Sequence, residues 1–134
     1  MSREIIYPPL EAILEAHDRL LERYGGAAGL RNPGGVEAAL ARARQIEAYA
    51  EGEVTIFALA AAIGFGFARI HHPFVDGNKR VAFYATFATL FMNGWRLDVA
   101  EHEAAAMVER VAQGTVDEDE FTRWLQKNAQ PGDA

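Results

Sequence analysis

The chain has 134 residues, of which 50% are hydrophobic and 24% are charged, and this combination excludes intrinsic disorder. The net charge of −6 argues against a protein that mainly binds nucleic acid, because such proteins usually carry a basic excess. The chain has no cysteine, which excludes a disulfide framework, a thiolate nucleophile and a cysteine-ligated zinc site. The length fits one domain, and we expect residues 1–134 to form it, with a core from about residue 10 to residue 128.

Two amphipathic helices are predicted in the first part of the chain. Apolar residues recur at spacings of three and four over residues 10–24, and Gly25-Gly26 should end this helix. His17 lies on the apolar face, so we expect it to be a hydrogen-bonded histidine of the core. A turn region at residues 25–35, rich in glycine, separates this helix from a second one at about residues 36–49.

Two further helices, at about residues 55–71 and 77–93, are apolar nearly all round and are therefore predicted to form the core. Pro73 should end the first of them, because the residue before a proline avoids the helical conformation. Asn93-Gly94 should end the second. A short loop is then left to join the two central helices.

Membrane insertion and secretion are not expected. Residues 54–68 are uncharged, but these fifteen residues fall short of the roughly 20 that a spanning helix needs. No long apolar run follows Arg3, so the N-terminus does not resemble a secretory signal. We predict a soluble, cytoplasmic protein.

The last part of the chain predicts two amphipathic helices. Asp98 and Asp117 are the expected N-caps, each followed three residues later by a glutamate. The segment beyond Asn128 is expected to be frayed. Because no alternation typical of strands is found, the predicted fold is all-α, a compact bundle of about six helices around the two apolar central ones.

The loop between the central helices carries an unusual set of side chains. Val54 to Trp95 spans 42 residues with only four formal charges, on Arg69, Asp76, Lys79 and Arg80. Their net charge is +2, so the other 92 residues carry −8. Burying such groups without partners is costly, so they should be paired, hydrated or bound to a ligand.

The residue types in this loop suit phosphoryl or nucleotidyl transfer. Gly77, Asn78, Lys79 and Arg80 open a long helix, where free N–H groups, the helix dipole and two cations favour a phosphate. Asp76 precedes that site and is placed to hold Mg²⁺, which binds through one or two carboxylates plus phosphate. His72 is the candidate base for a hydroxyl proton, since histidine changes charge near neutral pH. Phe74 is predicted to point into the core and anchor the loop.

Ordinary structural roles compete with each of these assignments. The loop can be a helical hairpin with internal salt bridges, with Lys79 as a solvated cation and His71 as an exposed neighbour. Arg31 and Asn32 fit a plain turn or, alternatively, a place beside the site where a target protein docks. The aromatic residues of the central helices are expected to be ordinary core, and the acidic residues of the fifth and sixth helices a solvated face. These aromatic residues are Phe57, Phe65, Phe67, Phe83, Tyr84, Phe87 and Phe91.

The segment His72-Pro-Phe-Val-Asp76-Gly-Asn-Lys79-Arg80 resembles the motif of the Fic/Doc family. The Fic form is His-x-Phe-x-(Asp/Glu)-Gly-Asn-Gly-Arg-x-x-Arg. Here Lys79 occupies the position of the second glycine and Phe83 that of the second arginine. Both departures are similar to the death-on-curing (Doc) branch, with its Asn-Lys-Arg signature. Weaker similarities extend the resemblance over about residues 10–128.

The resemblance implies a Fic/Doc-like fold, ATP as substrate and His72 as the base. Fic proteins transfer AMP to a protein hydroxyl. Doc proteins resemble variants that bind ATP in a reversed pose and transfer its γ-phosphate to a threonine of the elongation factor that carries aminoacyl-tRNA. Doc toxins are neutralised by an antitoxin segment that folds as a helix in a groove. The inhibitory helix of many Fic proteins, (Ser/Thr)-x-x-x-Glu-(Gly/Asn), has no match at Glu51-Gly52, where Glu47 stands four residues earlier.

The leading hypothesis is a type II toxin that acts as a protein kinase with ATP and Mg²⁺, with an elongation factor as substrate and an antitoxin as partner. AMP transfer of the Fic type is the alternative within enzymes. A catalytically inactive module that binds an antitoxin is the alternative outside them. Direct binding of nucleic acid is disfavoured by the acidic net charge.

Overall fold

The computed structural model describes residues 4–132, which form six α-helices, one π-helix and two short strands. In chain order the elements are α1 (Leu10–Tyr24), α2 (Gly35–Tyr49), α3 (Ile56–Phe65), the π-helix (Gly66–His71), α4 (Asn78–Met92), β1 (Trp95–Leu97), α5 (Glu101–Gln113), α6 (Glu118–Asn128) and β2 (Ala129–Pro131). The predicted all-α bundle of about six helices is therefore confirmed.

The sequence signals at several helix ends are also confirmed. α1 ends at Tyr24 because Gly25 takes a left-handed φ of 81°. Asp117 caps α6, and its carboxylate accepts a hydrogen bond from the N–H of Glu120 at 2.8 Å. α4 ends at Asn93, whose side chain donates to the carbonyl of Thr89.

The helices α3 and α4 lie at the centre, as their composition predicts. α3 packs against α2, α4 and α6, while α4 also contacts α1 and α5. Small residues permit the close approach of the central pair. At Gly64 a Cβ atom would lie only 2.1 Å from the hydroxyl oxygen of Thr86. The core between these helices is continuous and positions both ends of the loop that joins them.

The predicted third helix changes its winding before it reaches the loop. Residues 66–71 form a π-helix, and His72 follows in the left-handed region with φ 39° and ψ 57°. Pro73 disfavours a right-handed helical conformation at His72, which accounts for the end of the helix there. The apolar pattern of the sequence does not distinguish α from π winding, so this feature was not predicted.

The fifth helix does not begin at the predicted cap. Its N-cap is Ala100, which offers no side-chain hydrogen bond. Asp98 is instead held by its main chain, because its N–H donates to the carbonyl of Asn128 at 2.7 Å. The prediction of Asp98 as a cap is therefore wrong, since the start of α5 is displaced by the strand β1 that precedes it.

The expectation that the segment beyond Asn128 is frayed needs a correction. β1 pairs antiparallel with β2, so that Arg96 faces Gln130, and the segment beyond Asn128 is ordered by this ladder. Near the other end, the main chain of Ile6 exchanges two hydrogen bonds with the side chain of Asn93, at 2.9 and 2.7 Å. Residues 1–3 and 133–134, which the predicted domain includes, lie outside the described residues.

None of the helices within residues 4–132 combines the length and the apolar character that crossing a bilayer would require.

Candidate active site

The loop between the π-helix and α4 holds four of the seven predicted site residues, and the other three, Asn78, Lys79 and Arg80, follow on the first turn of α4. His72 stands at the start of the loop, half-buried, and is the only residue besides glycines with a positive φ in the described part of the chain. A left-handed conformation costs a residue with a Cβ atom about 1–2 kcal/mol. Surrounding contacts must therefore hold His72 in place, and backbone strain of this kind is frequent at functional sites.

Phe74 anchors the loop in the core, as predicted. Its side chain is 1% exposed and its ring stacks on the ring of His17, with the centroids 3.8 Å apart. The Nε2–H of His17 donates to the carbonyl oxygen of Asp76 at 2.8 Å, which assigns the proton to that nitrogen. His17 is thus the hydrogen-bonded core histidine that the sequence predicts, and its partner is the active-site loop itself.

Asn78 closes the loop through its side chain. Its Oδ1 accepts a hydrogen bond from the N–H of Phe74 at 3.0 Å, and its Nδ2 donates to the carbonyl of Phe74 at 2.8 Å. The side-chain amide is thereby engaged with the loop. Its predicted part in phosphate binding rests on the main-chain N–H at the start of α4.

Gly77 and the first turn of α4 form the predicted anion site. Gly77 has a left-handed φ of 86°, and its carbonyl accepts the first hydrogen bond of the helix, from Val81 at 3.0 Å. The N–H groups of residues 78–80 precede that bond and are the donors that a helix leaves for a ligand. A Cβ atom at Gly77 would also approach the ring of His17 to 3.5 Å.

Asp76 lies between the glycine-rich segment and α4. Its Oδ1 accepts from the N–H of Gly77 at 3.0 Å, and its Oδ2 accepts from the N–H of Ala27 at 3.3 Å. The side chain is exposed, and a carboxylate has about four acceptor positions. Two of them therefore remain for a cation or its water ligands. Gly26 allows this approach, because a Cβ atom there would lie 2.8 Å from Oδ2.

Lys79 is an exposed cation that is paired with a carboxylate. Its Nζ forms a salt bridge with Oε2 of Glu109 on α5 at 2.6 Å. The hydrogen bond from Lys79 lowers the pKa of Glu109 below its ordinary value, and Gln113 adds a second donor to the same carboxylate. The expectation that the acidic residues of α5 form only a solvated face is therefore wrong for Glu109, which faces the site.

Arg80 extends over an aromatic ring of α1. Its guanidinium carbon lies 4.5 Å from the centroid of Tyr24, a distance typical of a cation–π contact. Arg23 approaches the same ring at 5.4 Å. This stacking orients the guanidinium while its N–H groups remain available, and Arg80 itself is exposed.

The glycine-rich segment between α1 and α2 runs beside the loop. Leu30 and Phe74 form an isolated antiparallel bridge, and the N–H of Val75 donates to the carbonyl of Gly29 at 3.0 Å. The main-chain N–H groups of Arg31 and Asn32 both donate to the carbonyl of Pro73, at 2.8 and 3.1 Å. These two residues therefore flank the loop, which the sequence offered only as an alternative to a plain turn.

A groove of about 640 Å³ opens beside the first turn of α4. Its polar wall includes Asp76, Lys79 and Arg80, and its apolar wall is formed by side chains of α1, α4 and α5. The apolar and small residues are Leu20, Tyr24, Phe83, Tyr84, Phe87, Ala105 and Val108. The groove thus combines an apolar surface with an anion site, as a nucleotide pocket does. His72 is not among the residues that line the groove.

The aromatic row on α4 is only partly core. Phe83, Phe87 and Phe91 stack in sequence, with centroid distances of 6.4 and 6.2 Å. Phe83 and Phe87 are half-buried and line the groove, while Phe91 is 61% exposed. The prediction of an ordinary core is therefore wrong for Phe91, while the half-buried Phe83 still packs against the core.

Comparison with known proteins agrees with the motif. The sequence profile of the Fic/DOC family matches residues 7–90. The chain is 36% identical over 84 residues to the protein kinase doc of Escherichia phage P1. The matched stretch covers 63% of this chain and 65% of the phage protein, just under two thirds of its length. The identity to the phage protein supports the Doc branch, and the match of the profile to well over half of the chain shows that it belongs to the Fic/DOC family.

Proposed function

We propose that the protein is a protein kinase of the Doc toxin type, which transfers the γ-phosphate of ATP to a hydroxyl of a translation elongation factor. The observation that carries the proposal is the short loop of residues 72–77, which joins His72 to the anion site proposed at the first turn of α4. A base and a phosphate cradle that are joined by one short loop suit phosphoryl transfer to a hydroxyl. The name of the phage relative, a protein kinase, supports the same class of reaction.

The phosphates of ATP are assigned to the first turn of α4. The N–H groups of residues 78–80, the approach permitted by Gly77, and the cations of Lys79 and Arg80 all favour negative charge at one place. The groove volume of about 640 Å³ lies in the range of small-molecule and cofactor sites. Its aromatic wall suits the base of a nucleotide.

The carboxylate of Asp76 fits an Mg²⁺ ion that is shared with phosphates. Within residues 4–132 there is no group of three or more metal-binding side chains, so the protein alone offers no complete site. Mg²⁺ is usually held by one or two carboxylates together with phosphate oxygens and water, which matches a single exposed aspartate. When bound, the ion would neutralise negative charge on the phosphates.

In the proposed reaction the imidazole of His72 accepts the proton of the target hydroxyl. The hydroxyl oxygen then bonds to the γ-phosphorus, the bond from that phosphorus to the bridging oxygen breaks, and ADP leaves. Arg80 and the N–H groups of α4 stabilise the negative charge on the phosphoryl oxygens. Arg31 and Asn32, which flank the loop through Pro73, are the nearest main chain against which a target segment can lie.

A labelling experiment tests the direction of transfer. The purified protein is incubated with elongation factor and with ATP labelled at either the α- or the γ-phosphorus. We expect label from the γ position only, and none with the His72→Ala variant. Transfer of the α label alone would show AMP transfer of the Fic type and overturn the kinase proposal.

A toxin of a type II toxin–antitoxin system is the biological role proposed with this activity. We expect production of the protein to arrest growth and translation, and an antitoxin helix to bind the apolar part of the groove. The apolar side chains of α4 in the groove support this, because a helix docks by its apolar face. If His72→Ala arrests growth as the wild type does, catalysis is not the cause and the inactive antitoxin-binding module is favoured.

The proposal places the protein in the cytoplasm, with no direct contact to nucleic acid. The net charge of −6 supports the second point. A fluorescence anisotropy titration of the isolated protein with labelled DNA should show no binding with a steep dependence on salt, and such binding would contradict this part of the proposal.

A further inference from the structure

Arg42 is a largely buried cation that takes no part in the proposed chemistry. It lies on α2, and its side chain is 22% exposed. Nη1 donates to the carbonyl oxygen of Ala62 at 2.6 Å, and Nη2 donates to Oε1 of Glu118 at 2.8 Å. The carboxylate of Glu118 is itself only 28% exposed. One arginine therefore ties α2 to α3 and to the start of α6.

The contact with Ala62 lies where α3 changes into the π-helix. The carbonyl of Ala62 also accepts from the N–H of Gly66, the first residue of the π-helix. A Cβ atom on Gly66 would lie 3.0 Å from Cδ of Arg42 and 3.1 Å from Ala39. The guanidinium also lies 5.6 Å from the ring centroid of Phe65. Arg42 thus contacts the junction from several directions.

The winding of this junction sets the place of His72. A π-helix accommodates more residues per turn than an α-helix, so rewinding the segment would rotate every residue that follows it. The π-helix ends at His71, and His72 then has its strained φ of 39°. Burial, and next the charge of Arg42, lower the pKa of His71, so the guanidinium acts electrostatically at the end of the π-helix too.

We infer that Arg42, paired with Glu118, is a positioning residue that fixes the π-helix and thereby holds the imidazole of His72 where it can accept the proton of the target hydroxyl. This inference rests on the proposed function. A buried ion pair is weak as a source of stability, because desolvation offsets much of its attraction. Arg42 also donates to the carbonyl of Ala62, close to where α3 changes into the π-helix that leads to His72. This contact gives the ion pair a structural role beside the candidate active site.

Steady-state kinetics of the full chain test the inference. The assay follows transfer from γ-labelled ATP to elongation factor for the wild type, Arg42→Gln, Arg42→Lys and Glu118→Gln. We expect Arg42→Gln to lower kcat by about 10- to 100-fold, since a small misplacement of a reacting group has effects of this size. KM for ATP should stay unchanged, because the groove lies on α1, α4 and α5. Arg42→Lys should not restore kcat, because an ammonium lacks the planar fork that reaches both acceptors.

A matched control is available on the same helix. Arg44 is exposed, and its guanidinium lies 5.2 Å from the ring of Tyr7, away from the π-helix. Arg44→Gln should leave kcat unchanged. If circular dichroism shows that Arg42→Gln does not fold, the kcat of Glu118→Gln tests the inference instead. This variant keeps the arginine and removes only the charge of its partner.

An NMR measurement separates this inference from the proposed function. The backbone ¹³C shifts of His72 distinguish a left-handed from a right-handed conformation, and the amide shifts of residues 66–71 report on the π-helix. We expect both to change in Arg42→Gln and to stay unchanged in Arg44→Gln. An unchanged kcat in Arg42→Gln, or a lower kcat with native His72 shifts, overturns the inference. If the wild type transfers no phosphate, the proposed function fails, and the His72 shifts alone decide about the positioning role.

Discussion

At the scale of single residues, Asn78 is the side chain that gives the active-site loop its shape. It donates to and accepts from the main chain of Phe74, a residue that is almost completely buried. Without these bonds the N–H and the carbonyl of Phe74 would lack partners in a place that water reaches poorly. The cost of leaving such groups unsatisfied is about 1–3 kcal/mol.

We predict that Asn78→Ala lowers the free energy of unfolding by about 1–3 kcal/mol, measured by urea denaturation. Asn78→Asp keeps an acceptor for the N–H of Phe74 but loses the donor to the carbonyl of Phe74. Its free energy of unfolding should therefore lie between those of the wild type and of Asn78→Ala. Equal stability of all three proteins would contradict the structural role of this side chain.

The residue scale also shows which contacts the sequence could predict. The core position of Phe74 follows from an apolar side chain between polar neighbours. The bond of His17 to Asp76 joins residues 59 positions apart, and that of Lys79 to Glu109 joins residues 30 positions apart. Such partners depend on how helices pack, which one sequence does not reveal. The type of each side chain was therefore predictable, while its partner was not.

At the scale of elements, Gly64 controls the crossing of α3 and α4. A Cβ atom there would meet the hydroxyl oxygen of Thr86 at 2.1 Å and the ring of Phe121 at 3.1 Å. Thr86 has little room to move, because its hydroxyl donates to the carbonyl of Ala82 at 2.7 Å. The central helices can approach this closely only if residue 64 has no side chain.

We predict that Gly64→Ala lowers the free energy of unfolding by about 1–3 kcal/mol, as overpacking of a core usually does. Alanine is the better helix former, so the helical propensity alone predicts the opposite sign. Gly52→Ala is the matched control, because no atom lies within 4 Å of its Cβ position, and its stability should be nearly unchanged. Urea denaturation of both variants measures the difference, and a stabilised Gly64→Ala would show that the helices are less closely packed.

The salt bridge between α4 and α5 predicts a dependence of stability on pH. The pKa of Glu109 is lowered by the hydrogen bond from Lys79, so folding favours the carboxylate over the acid. Because the pKa of Glu109 is lower in the folded protein, its carboxylate stabilises the folded state at pH values above the ordinary pKa of glutamate. This stabilisation is lost as the pH falls through the pKa of Glu109 in the folded protein. The pair is half-exposed, so the effect should be small.

Thermal melts of the wild type and of Glu109→Gln test this dependence. We predict that the wild type has the higher Tm at about pH 7 and that the difference is smaller at about pH 3, below the ordinary pKa of glutamate. A difference in Tm that is the same at both values would show that the charge of Glu109 does not contribute. The variant also leaves Lys79 without its partner, which makes it a useful background for measuring KM for ATP.

The helices could be predicted because apolar residues spaced three and four positions apart indicate a helix, and this spacing can be read from the sequence. α1, α2 and α4 begin and end where glycine, asparagine and the apolar period predict. The π-helix could not be predicted, since its apolar residues fit either winding and its contact with Arg42 depends on the packing of another helix. The short ladder of β1 and β2 was missed for a similar reason, because three residues are too few to show alternation.

At the scale of the whole molecule, the charges are arranged in two regions of opposite sign. The residues outside Val54–Trp95 carry −8, and the segment Val54–Trp95, which holds the central helices, carries +2. In the structure Lys79 and Arg80 from that segment line the groove, while Glu109 from the rest of the chain neutralises part of their charge. The net charge of the chain therefore conceals two neighbouring cations beside the groove, which the distribution of charges along the sequence reveals.

The ends of the described chain meet on the surface of α4 and stabilise the bundle as a whole. Near the N-terminus, the main chain of Ile6 is hydrogen-bonded to the side chain of Asn93. Near the C-terminus, the N–H of Gly132 donates to the carbonyl of Gly94, the residue after Asn93, at 2.7 Å. Ala129 is buried and belongs to the core, so β2 contributes apolar contacts as well as its ladder. The turn after α4 is thus held from both ends of the sequence.

We predict that a chain truncated after Asn128 is less stable than the full chain by about 1–3 kcal/mol, because it loses a few hydrogen bonds of about 1 kcal/mol each. Trp95 pairs with Pro131 and should report the change through its fluorescence during urea denaturation. A chain truncated after Gly132 keeps β2 and is the matched control for the loss of this strand. If both truncated chains unfold at the same urea concentration as the full chain, the ladder contributes nothing. The α4 end of the bundle is then held by Asn93 alone.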